Sequence, residues 1–239
     1  MKSMILAAGL GTRLKTFTDK HPKALLVING KTLLQRNIEY LAGFGIREII
    51  VNIHHFADQV KEFIAVNKGF GSTVSISDES KEILETGGGL KKASWYFKDG
   101  ASPFVLMNVD VLTDMDLGSM INMHKEKTPL ATLAVTQRDT SRYLLFDQEA
   151  QLCGWKNLKT GEQKIIRPAA QLVPKAFSGI HVISPEIFPL IHKEGKFSMI
   201  DLYLELAQTQ TVIAFDHTYS KFLDVGKPES IVMAEKIFD

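Results

Sequence analysis

Two glycines and an arginine follow the first apolar run of the chain at a spacing suited to phosphate binding. Residues 4–7 are apolar, and Gly9, Gly11 and Arg13 come directly after them. Because glycine lacks a Cβ, its backbone amide can approach a phosphate closely, and the arginine can bind two phosphate oxygens at once. Position 14 is Leu, so this is not the Gly-x-Gly-x-x-Gly pattern of dinucleotide-binding proteins, nor is it a Walker A loop. Alone, the segment predicts either a phosphate-binding loop or a tight turn.

A lysine follows ten positions after Arg13, on a segment that proline makes rigid. Pro22 fixes its own φ and disfavours helix at His21, so Lys23 is presented on a stiff loop. Long loops without regular structure are more often functional than not. A solvated basic loop would have the same composition, so the lysine needs a second observation to count as a site residue.

A carboxylate follows the third long apolar run. Asp110 comes shortly after residues 103–107. Ligands in open α/β sheets bind beyond the carboxyl ends of the strands, and a carboxylate there suits Mg²⁺, which prefers oxygen ligands. The alternative is a turn or helix-capping residue. We expect Asp114 and Asp116 to be caps of the next helix rather than ligands.

Four other residues invite a chemical interpretation that the sequence does not favour. His54 and His55 are adjacent but lack a nearby carboxylate motif, so we expect a strand-end loop rather than a metal site. His181 lies in an apolar strand and is expected to be a hydrogen-bonded core histidine. Cys153 is the single cysteine, so an intrachain disulfide is impossible, and we expect a buried, inert thiol.

Strand and helix signals alternate in the first half of the chain. This alternation predicts a parallel, doubly wound sheet. Strands are predicted at 4–7, 48–53, 73–76 and 103–107, with helical apolar spacing around 33–44, 56–64 and 87–95.

The second half has shorter strand signals separated by turn residues, which predicts a more antiparallel part appended to the same α/β domain. Strands are predicted at 130–135, 143–146, 152–155, 176–183, 212–215 and 221–223, and helices at 185–191, 200–207 and 228–238.

The composition excludes several classes of protein. The 239 residues are 45% hydrophobic and 23% charged, values typical of globular proteins rather than disordered or coiled-coil chains. The net charge of +1 provides no overall field for a nucleic acid. No apolar run is long enough to span a membrane and no signal peptide is evident, so we expect no membrane partner and a cytoplasmic location.

The first glycine motif resembles the signature of the sugar-1-phosphate nucleotidyltransferases. The residues that carry the resemblance are Leu-Ala-Ala-Gly-Leu-Gly-Thr-Arg-Leu at 6–14, Pro-Lys at 22–23 and Gly-Lys at 30–31. Three further segments resemble the family in the same order along the chain. They are Leu-Glu-Thr-Gly-Gly-Gly at 84–89, Ala-Phe-Ser-Gly-Ile at 176–180 and Phe-Leu-Asp-Val-Gly-Lys-Pro-Glu at 222–229.

The resemblance implies roles for individual residues. Arg13 and Lys23 are the expected catalytic residues, and Asp110 with Asp224 would bind Mg²⁺, the expected cofactor. The nucleotide is expected to contact Ala8, Gly9, Gly11, Thr12, Glu85 and Gly88.

The sugar is expected to contact Asn108 and Gly179, which resemble family positions near the sugar. Two other positions depart from the family pattern. Val109 replaces a residue that is usually Gly, and Lys227 replaces one that is usually Thr. The sequence does not predict the effect of either change.

The resemblance also implies the fold and the roles of its two parts. The expected fold is a Rossmann-like, doubly wound, mixed and mainly parallel sheet flanked by helices, similar to the GT-A fold. We predict a single nucleotidyltransferase domain over 1–239, with 1–125 mainly binding the nucleotide and 126–239 mainly binding the sugar.

The implied reaction joins a nucleoside triphosphate and a sugar 1-phosphate into a nucleotide sugar and pyrophosphate. The chain looks most similar to N-acetylmuramate-1-phosphate uridylyltransferases, which serve cell-wall precursors; mannose- or heptose-1-phosphate guanylyltransferases are the alternative. Glu85 could accept hydrogen bonds from guanine, so UTP and GTP both stay open. A non-catalytic nucleotide-sugar-binding regulatory protein and a cytidylyltransferase acting on a phospho-alcohol are two further alternatives. The oligomeric state is not predicted.

Overall fold

The computed structural model describes residues 1–98, 100 and 102–238, apart from the side chains at positions 15 and 16. Strands and helices alternate through the first half, as the apolar spacing predicts. The helices are α1 (Lys15–Thr18), α2 (Leu33–Gly43), α3 (Ala57–Val66), α4 (Glu85–Lys92), α5 (Leu117–Lys127), α6 (Met199–Leu206) and α7 (Pro228–Ile237). The strands are β1 (Lys2–Leu6), β2 (Val27–Ile28), β3 (Lys31–Thr32), β4 (Glu48–Ile53), β5 (Thr73–Asp78), β6 (Phe104–Asn108), β7 (Val111–Thr113), β8 (Ala131–Thr136), β9 (Arg142–Phe146), β10 (Leu152–Asn157), β11 (Gln163–Ile165), β12 (Val173–Ile183), β13 (Val212–Asp216) and β14 (Phe222–Asp224).

A mixed sheet forms the centre of the molecule. Its strand order is β11-β10-β9-β12-β6-β1-β4-β5, and β8 pairs with both β12 and β13. The four strands β6, β1, β4 and β5 run parallel to one another. Strands β9, β10, β11 and β12 pair antiparallel, and β12 joins the parallel part through an antiparallel pairing with β6. The prediction of a parallel first half and a more antiparallel second half is therefore confirmed.

Both faces of the sheet are covered, because alternate side chains of the central strands enter two different hydrophobic cores. Ile5 of β1 packs in one core, whereas its neighbours Met4 and Leu6 pack in the other. Val51 and Ile50 of β4 divide in the same way. A strand buried on both faces must be apolar throughout, which explains the continuous apolar runs in the sequence.

Helix boundaries follow local chemistry. Thr32 caps α2 by accepting a hydrogen bond from the Gln35 amide at 3.1 Å, and the helix ends at Gly43, close to the predicted end. The helix predicted at 185–191 is instead a 3₁₀ helix, Pro185–Leu190, because Pro189 has no amide hydrogen to donate within an α-helix. Across residues 1–98, 100 and 102–238, no helix has both the length and the apolar character needed to cross a membrane.

Candidate active site

A cavity of about 510 Å³ opens beyond the carboxyl ends of β1 and β6. This edge of a parallel sheet is where open α/β folds bind ligands. Backbone of the first glycine motif forms part of its wall, and charged side chains from several distant segments form the rest. The lining residues are Leu6, Ala8, Gly9, Gly11, Thr12, Arg13, Lys23, Asn52, Ile83, Glu85, Thr86, Asn108, Val109, Asp110, Arg142, Ser198 and Gly226.

The first glycine segment, residues 8–13, turns directly from β1 into the cavity wall. Gly11 has a φ of +61°, and a Cβ there would lie 2.7 Å from the Thr18 side chain. The Thr18 hydroxyl donates to the Gly11 carbonyl at 3.1 Å and holds this turn. Gly9 differs, because a Cβ there would meet nothing within 4 Å and its φ is not left-handed. The fold therefore requires glycine at position 11, whereas at position 9 it leaves open space on the cavity side.

Lys23 forms an ion pair with Asp110 across the cavity floor. The lysine begins a 3₁₀ helix directly after Pro22 and is almost completely buried, with 9% of its side chain exposed. Asp110 follows β6, at the sheet edge where the sequence predicts it. A lysine buried to this extent needs a charged partner, so the loop and the strand end hold each other's charge in place.

A short antiparallel ladder brings Asp224 next to Asp110. Strand β14 pairs with β7 so that Asp224 lies opposite Val111, and the Val225 amide donates to the Asp110 carbonyl at 2.9 Å. The two carboxylates repel each other: partial desolvation of Asp224 and the like charge of Asp110 raise the pKa of Asp224. The positive charges of Lys23, Arg13 and Arg138 oppose this rise in pKa.

The absence of a side chain at Gly226 allows Arg13 to lie beside Asp224. A Cβ at Gly226 would lie 2.7 Å from both Arg13 Nη2 and Asp224 Oδ1. Both side chains therefore use the space that glycine leaves open, and the guanidinium is held at the rim of the cavity. The late Asp-Val-Gly element thus contributes a carboxylate and also makes room for the arginine of the first glycine segment.

The donor set of Asp110 and Asp224 fits a divalent ion that keeps other ligands. Within the described part of the chain, no group of three or more His, Cys, Asp or Glu side chains could enclose a metal on its own. The neighbouring carboxylates of Asp110 and Asp224 provide the negative charge that Mg²⁺ needs, and Mg²⁺ characteristically takes its remaining ligands from water and substrate phosphates. The residues present therefore fit Mg²⁺, whose binding stays a prediction.

The second glycine segment, residues 84–89, opens α4, and its glycines face protein. A Cβ on Gly87 would lie 2.4 Å from the Phe197 ring, and one on Gly88 would lie 2.2 Å from the Gly195 carbonyl oxygen. Glu85 does line the cavity, with a φ of +58° and an ion pair to Lys196 at 3.5 Å. Gly88 is buried behind this wall, so the structure brings Glu85, but not Gly88, to the cavity.

Asn52 and Glu79 join the two glycine segments, and sequence reasoning missed both. The Asn52 side chain accepts from the Ala7 amide at 2.7 Å and donates to Glu79 at 2.8 Å. A Cβ on Gly89 would lie 2.8 Å from each of these side chains. Glu79 is completely buried, and burial raises its pKa, against the opposing effect of the Asn52 hydrogen bond. A polar residue interrupting the β-branched run of β4 was the available signal for Asn52.

The second half of the chain contributes the far wall of the cavity. Asn108, for which we expect a contact with the sugar, lines the cavity, whereas Gly179 lies outside the wall and beneath Asn108, where a Cβ would be 2.7 Å from Asn108 Nδ2. Gly179 has a φ of +73° at an irregularity in the β12–β8 pairing. Arg142 and Ser198 also line the cavity. No motif in the sequence indicated these two residues, because they come from segments without a distinctive pattern.

The residues set aside from the sequence have structural roles. His181 is buried with its Nδ1 atom 2.8 Å from the Tyr203 hydroxyl, and burial lowers its pKa to about 3. Cys153 is buried, as expected. Asp116 caps α5 by accepting from the Ser119 amide. The expectation that Asp114 also caps this helix is wrong, because its carboxylate accepts from the Lys221 amide and ties β7 to β14.

The two departures from the expected family pattern lie differently. Val109 is buried at the cavity edge; its amide donates to the Leu6 carbonyl and its carbonyl accepts from Asn37. Lys227 is exposed and precedes α7. The valine therefore helps fix the backbone next to Asp110, whereas the lysine side chain stays at the surface.

Known proteins resemble this chain along its whole length. The family model described as Nucleotidyl transferase matches residues 2–238. The N-acetylmuramate alpha-1-phosphate uridylyltransferase of Caulobacter vibrioides is 28% identical, over 98% of this chain and 95% of that protein. The mannose-1-phosphate guanylyltransferase catalytic subunit beta of Xenopus tropicalis is also 28% identical, over 97% of this chain and 63% of that protein. The crystal structure of HddC from Yersinia pseudotuberculosis complexed with GMP-PN has a TM-score of 0.79 at 28% identity, covering 100% of this chain and 99% of that one.

Proposed function

The chain belongs to the nucleotidyl transferase family, and we propose that it transfers a nucleotidyl group from a nucleoside triphosphate to a sugar 1-phosphate. The products are a nucleoside diphosphate sugar and pyrophosphate. One observation carries the proposal: a single cavity is lined by Gly9, Arg13, Lys23 and Asp110, with Asp224 adjacent. Bare backbone, two cations and two carboxylates are a suitable environment for polyphosphate chemistry.

The proposed reaction is a direct displacement. An oxygen of the sugar phosphate attacks the α-phosphorus, a new P–O bond forms, and the bond to the β-phosphate oxygen breaks as pyrophosphate leaves. No covalent enzyme intermediate is required, so catalysis depends on positioning and charge neutralisation. Arg13 binds the β- and γ-phosphates, and Lys23 neutralises charge at the α-phosphate.

Asp110 and Asp224 are the residues that would hold Mg²⁺. When bound, the ion would supply positive charge to the phosphates at the reacting centre. In the protein itself, Lys23 neutralises Asp110. The ion pair therefore keeps both side chains at the reacting position, and Asp224 remains as the second carboxylate.

We favour N-acetylmuramate 1-phosphate and UTP as the substrates. The support is the Caulobacter uridylyltransferase, which this chain matches over nearly the full length of both proteins. Guanylyl transfer to mannose or heptose 1-phosphate is the second candidate. It is supported by the GMP-PN complex of the Yersinia protein and by Glu85 at the cavity wall, whose carboxylate could accept hydrogen bonds from guanine.

A pyrophosphate-release screen tests the proposal. Each of four nucleoside triphosphates is combined with the 1-phosphates of N-acetylmuramate, N-acetylglucosamine, glucose, mannose and heptose, with Mg²⁺ present. We expect release with UTP and N-acetylmuramate 1-phosphate above every other pair. Preference for GTP with mannose or heptose 1-phosphate would select the second candidate. No release with any pair would contradict nucleotidyl transfer to sugars and favour a non-catalytic nucleotide-sugar-binding protein.

A further inference from the structure

Among the described residues, every charged side chain that lines the cavity has an oppositely charged neighbour except one. Lys23 pairs with Asp110, and Glu85 pairs with Lys196. Arg13 lies beside Asp224 and places its positive charge next to that carboxylate. Arg142 lines the same cavity, yet its guanidinium has no ion pair or hydrogen bond among the residues that the structure describes. A cation that a ligand desolvates needs an anionic partner, so this arginine indicates an anionic group on the ligand.

Arg142 is held by the sheet. It is the first residue of β9, where it lies opposite Asn157 of β10, and β9 also pairs with β12. Its amide donates to the Thr140 hydroxyl at 3.4 Å. A residue on a paired strand has a more defined backbone position than one on a free loop, so the sheet fixes the point from which the exposed Arg142 side chain reaches the cavity.

The position of Arg142 separates it from the phosphate-binding residues. Strands β12 and β6 lie between β9 and β1 in the sheet order β9-β12-β6-β1. The first glycine segment with Arg13 follows β1, whereas Arg142 enters the cavity from the half expected to bind the sugar. The anion it meets therefore belongs to the sugar rather than to the triphosphate.

We propose that Arg142 is a specificity-determining residue that binds a carboxylate carried by the sugar 1-phosphate. The inference rests on the proposed nucleotidyl transfer and deepens it by naming the substrate class. A planar guanidinium binds a carboxylate through two parallel hydrogen bonds. A neutral sugar offers no such partner and leaves the cation unpaired, which selects against it.

Two substrates that differ in one group test this proposal. N-acetylmuramate 1-phosphate is N-acetylglucosamine 1-phosphate with an added lactyl ether, which carries the carboxylate. For Arg142→Gln we expect kcat/KM with the N-acetylmuramate substrate to fall about 10- to 100-fold, through KM, as for the loss of a charged hydrogen bond. The value with the N-acetylglucosamine substrate should stay unchanged or rise, because the glutamine leaves no unpaired cation beside a neutral sugar, and Arg142→Lys should recover part of the loss with the N-acetylmuramate substrate. Arg47→Gln is the matched control, because Arg47 is exposed and bonds only to the Gly71 carbonyl among the described residues.

An equal loss with both substrates would overturn the proposal, because Arg142 would then act on atoms that the two substrates share. A wild-type enzyme that does not prefer the carboxylate-bearing substrate would also overturn it. If the wild-type protein releases no pyrophosphate with any pair, the proposed reaction fails, and calorimetry of N-acetylmuramate 1-phosphate binding tests Arg142 separately. Weaker binding by Arg142→Gln than by Arg47→Gln would then support the carboxylate site, and equal binding would overturn it.

Discussion

The two glycine-rich segments flank one cavity but use the missing Cβ in opposite ways. In residues 8–13, a Cβ on Gly9 would meet nothing within 4 Å, and the backbone of this glycine lines the cavity. In residues 84–89, Gly87 and Gly88 are pressed against Phe197 and the Gly195 carbonyl. The first segment leaves room for a ligand, and the second leaves room for the protein to pack against itself. Two segments of similar glycine content therefore serve different purposes, ligand access in the first and packing in the second.

This difference assigns different consequences to substitutions in the two segments. Changes in the first segment and its partners should alter binding or turnover while the fold persists, except at Gly11, where the left-handed φ and the contact with Thr18 require glycine. Changes to the packed glycines of the second segment should alter stability first, because backbone and ring atoms must move to admit a side chain.

The largest effect is expected for Lys23→Ala, next to the first segment. We expect kcat to fall about 100- to 1,000-fold, the usual cost of removing one preorganised charge at a reacting centre. Turnover measured by pyrophosphate release checks this, with Lys20→Ala as the control because Lys20 is exposed on the same loop. Near wild-type turnover of Lys23→Ala would remove the catalytic role and with it the chemical assignment of this segment.

Gly88→Ala should sharpen the structural assignment of the second segment. The added Cβ would meet the Gly195 carbonyl oxygen at 2.2 Å, so we expect the free energy of unfolding to fall by about 2–3 kcal/mol. Urea denaturation measures it. Gly43→Ala is the matched helical control: a Cβ there meets nothing within 4 Å, and the change should stabilise by about 0.5–1 kcal/mol. If both variants behaved alike, the packing argument would be lost.

A smaller effect is expected for Glu79→Gln, which alters the link between the segments. At pH 4.5 the variant should be less stable by about 1 kcal/mol, because the glutamine amide cannot accept the Leu84 amide hydrogen. Burial raises the pKa of Glu79. As the pH rises above the ordinary pKa of a glutamate, the unfolded chain therefore loses a proton that the folded wild-type protein keeps. Wild-type stability from this group therefore declines with rising pH, and the deficit of the variant should shrink.

Urea denaturation of both proteins between pH 4.5 and 7 measures the change in this deficit. Glu82→Gln is the control, because Glu82 is exposed on the following turn. A deficit that grows with pH would contradict the sign of the pKa shift and the account of a buried, proton-retaining carboxyl.

The central strands and the glycine-containing loop after β1 could be predicted from local sequence. The apolar runs at β1, β4 and β6 indicated buried strands, and the loop after β1 was placed correctly because its glycines and arginine are contiguous. Asp110 was found because it follows such a run. These signals are local in the chain, and the parallel sheet brings the residues that follow its strands close together at one edge.

The packing of the second segment could not be predicted in this way. The neighbours of Gly87 and Gly88 are Phe197 and Gly195, more than 100 positions later in the chain. Arg142 was missed for the same reason, since only the pairing of β9 with β12 brings it to the cavity. A glycine motif shows where a Cβ is absent. The tertiary structure determines whether ligand atoms or protein atoms occupy the space that it leaves.

We assign the space in front of Gly9 to the nucleotide. The most direct test is Gly9→Val, measured for both the free energy of unfolding and the calorimetric affinity for UTP and GTP. We predict a free energy of unfolding within about 0.5 kcal/mol of the wild-type value, as for a surface change. We also predict a nucleotide affinity at least about tenfold weaker, which is a loss of roughly 1.4 kcal/mol in binding free energy. Unchanged affinity for the nucleotide that the wild-type protein binds would contradict the claim.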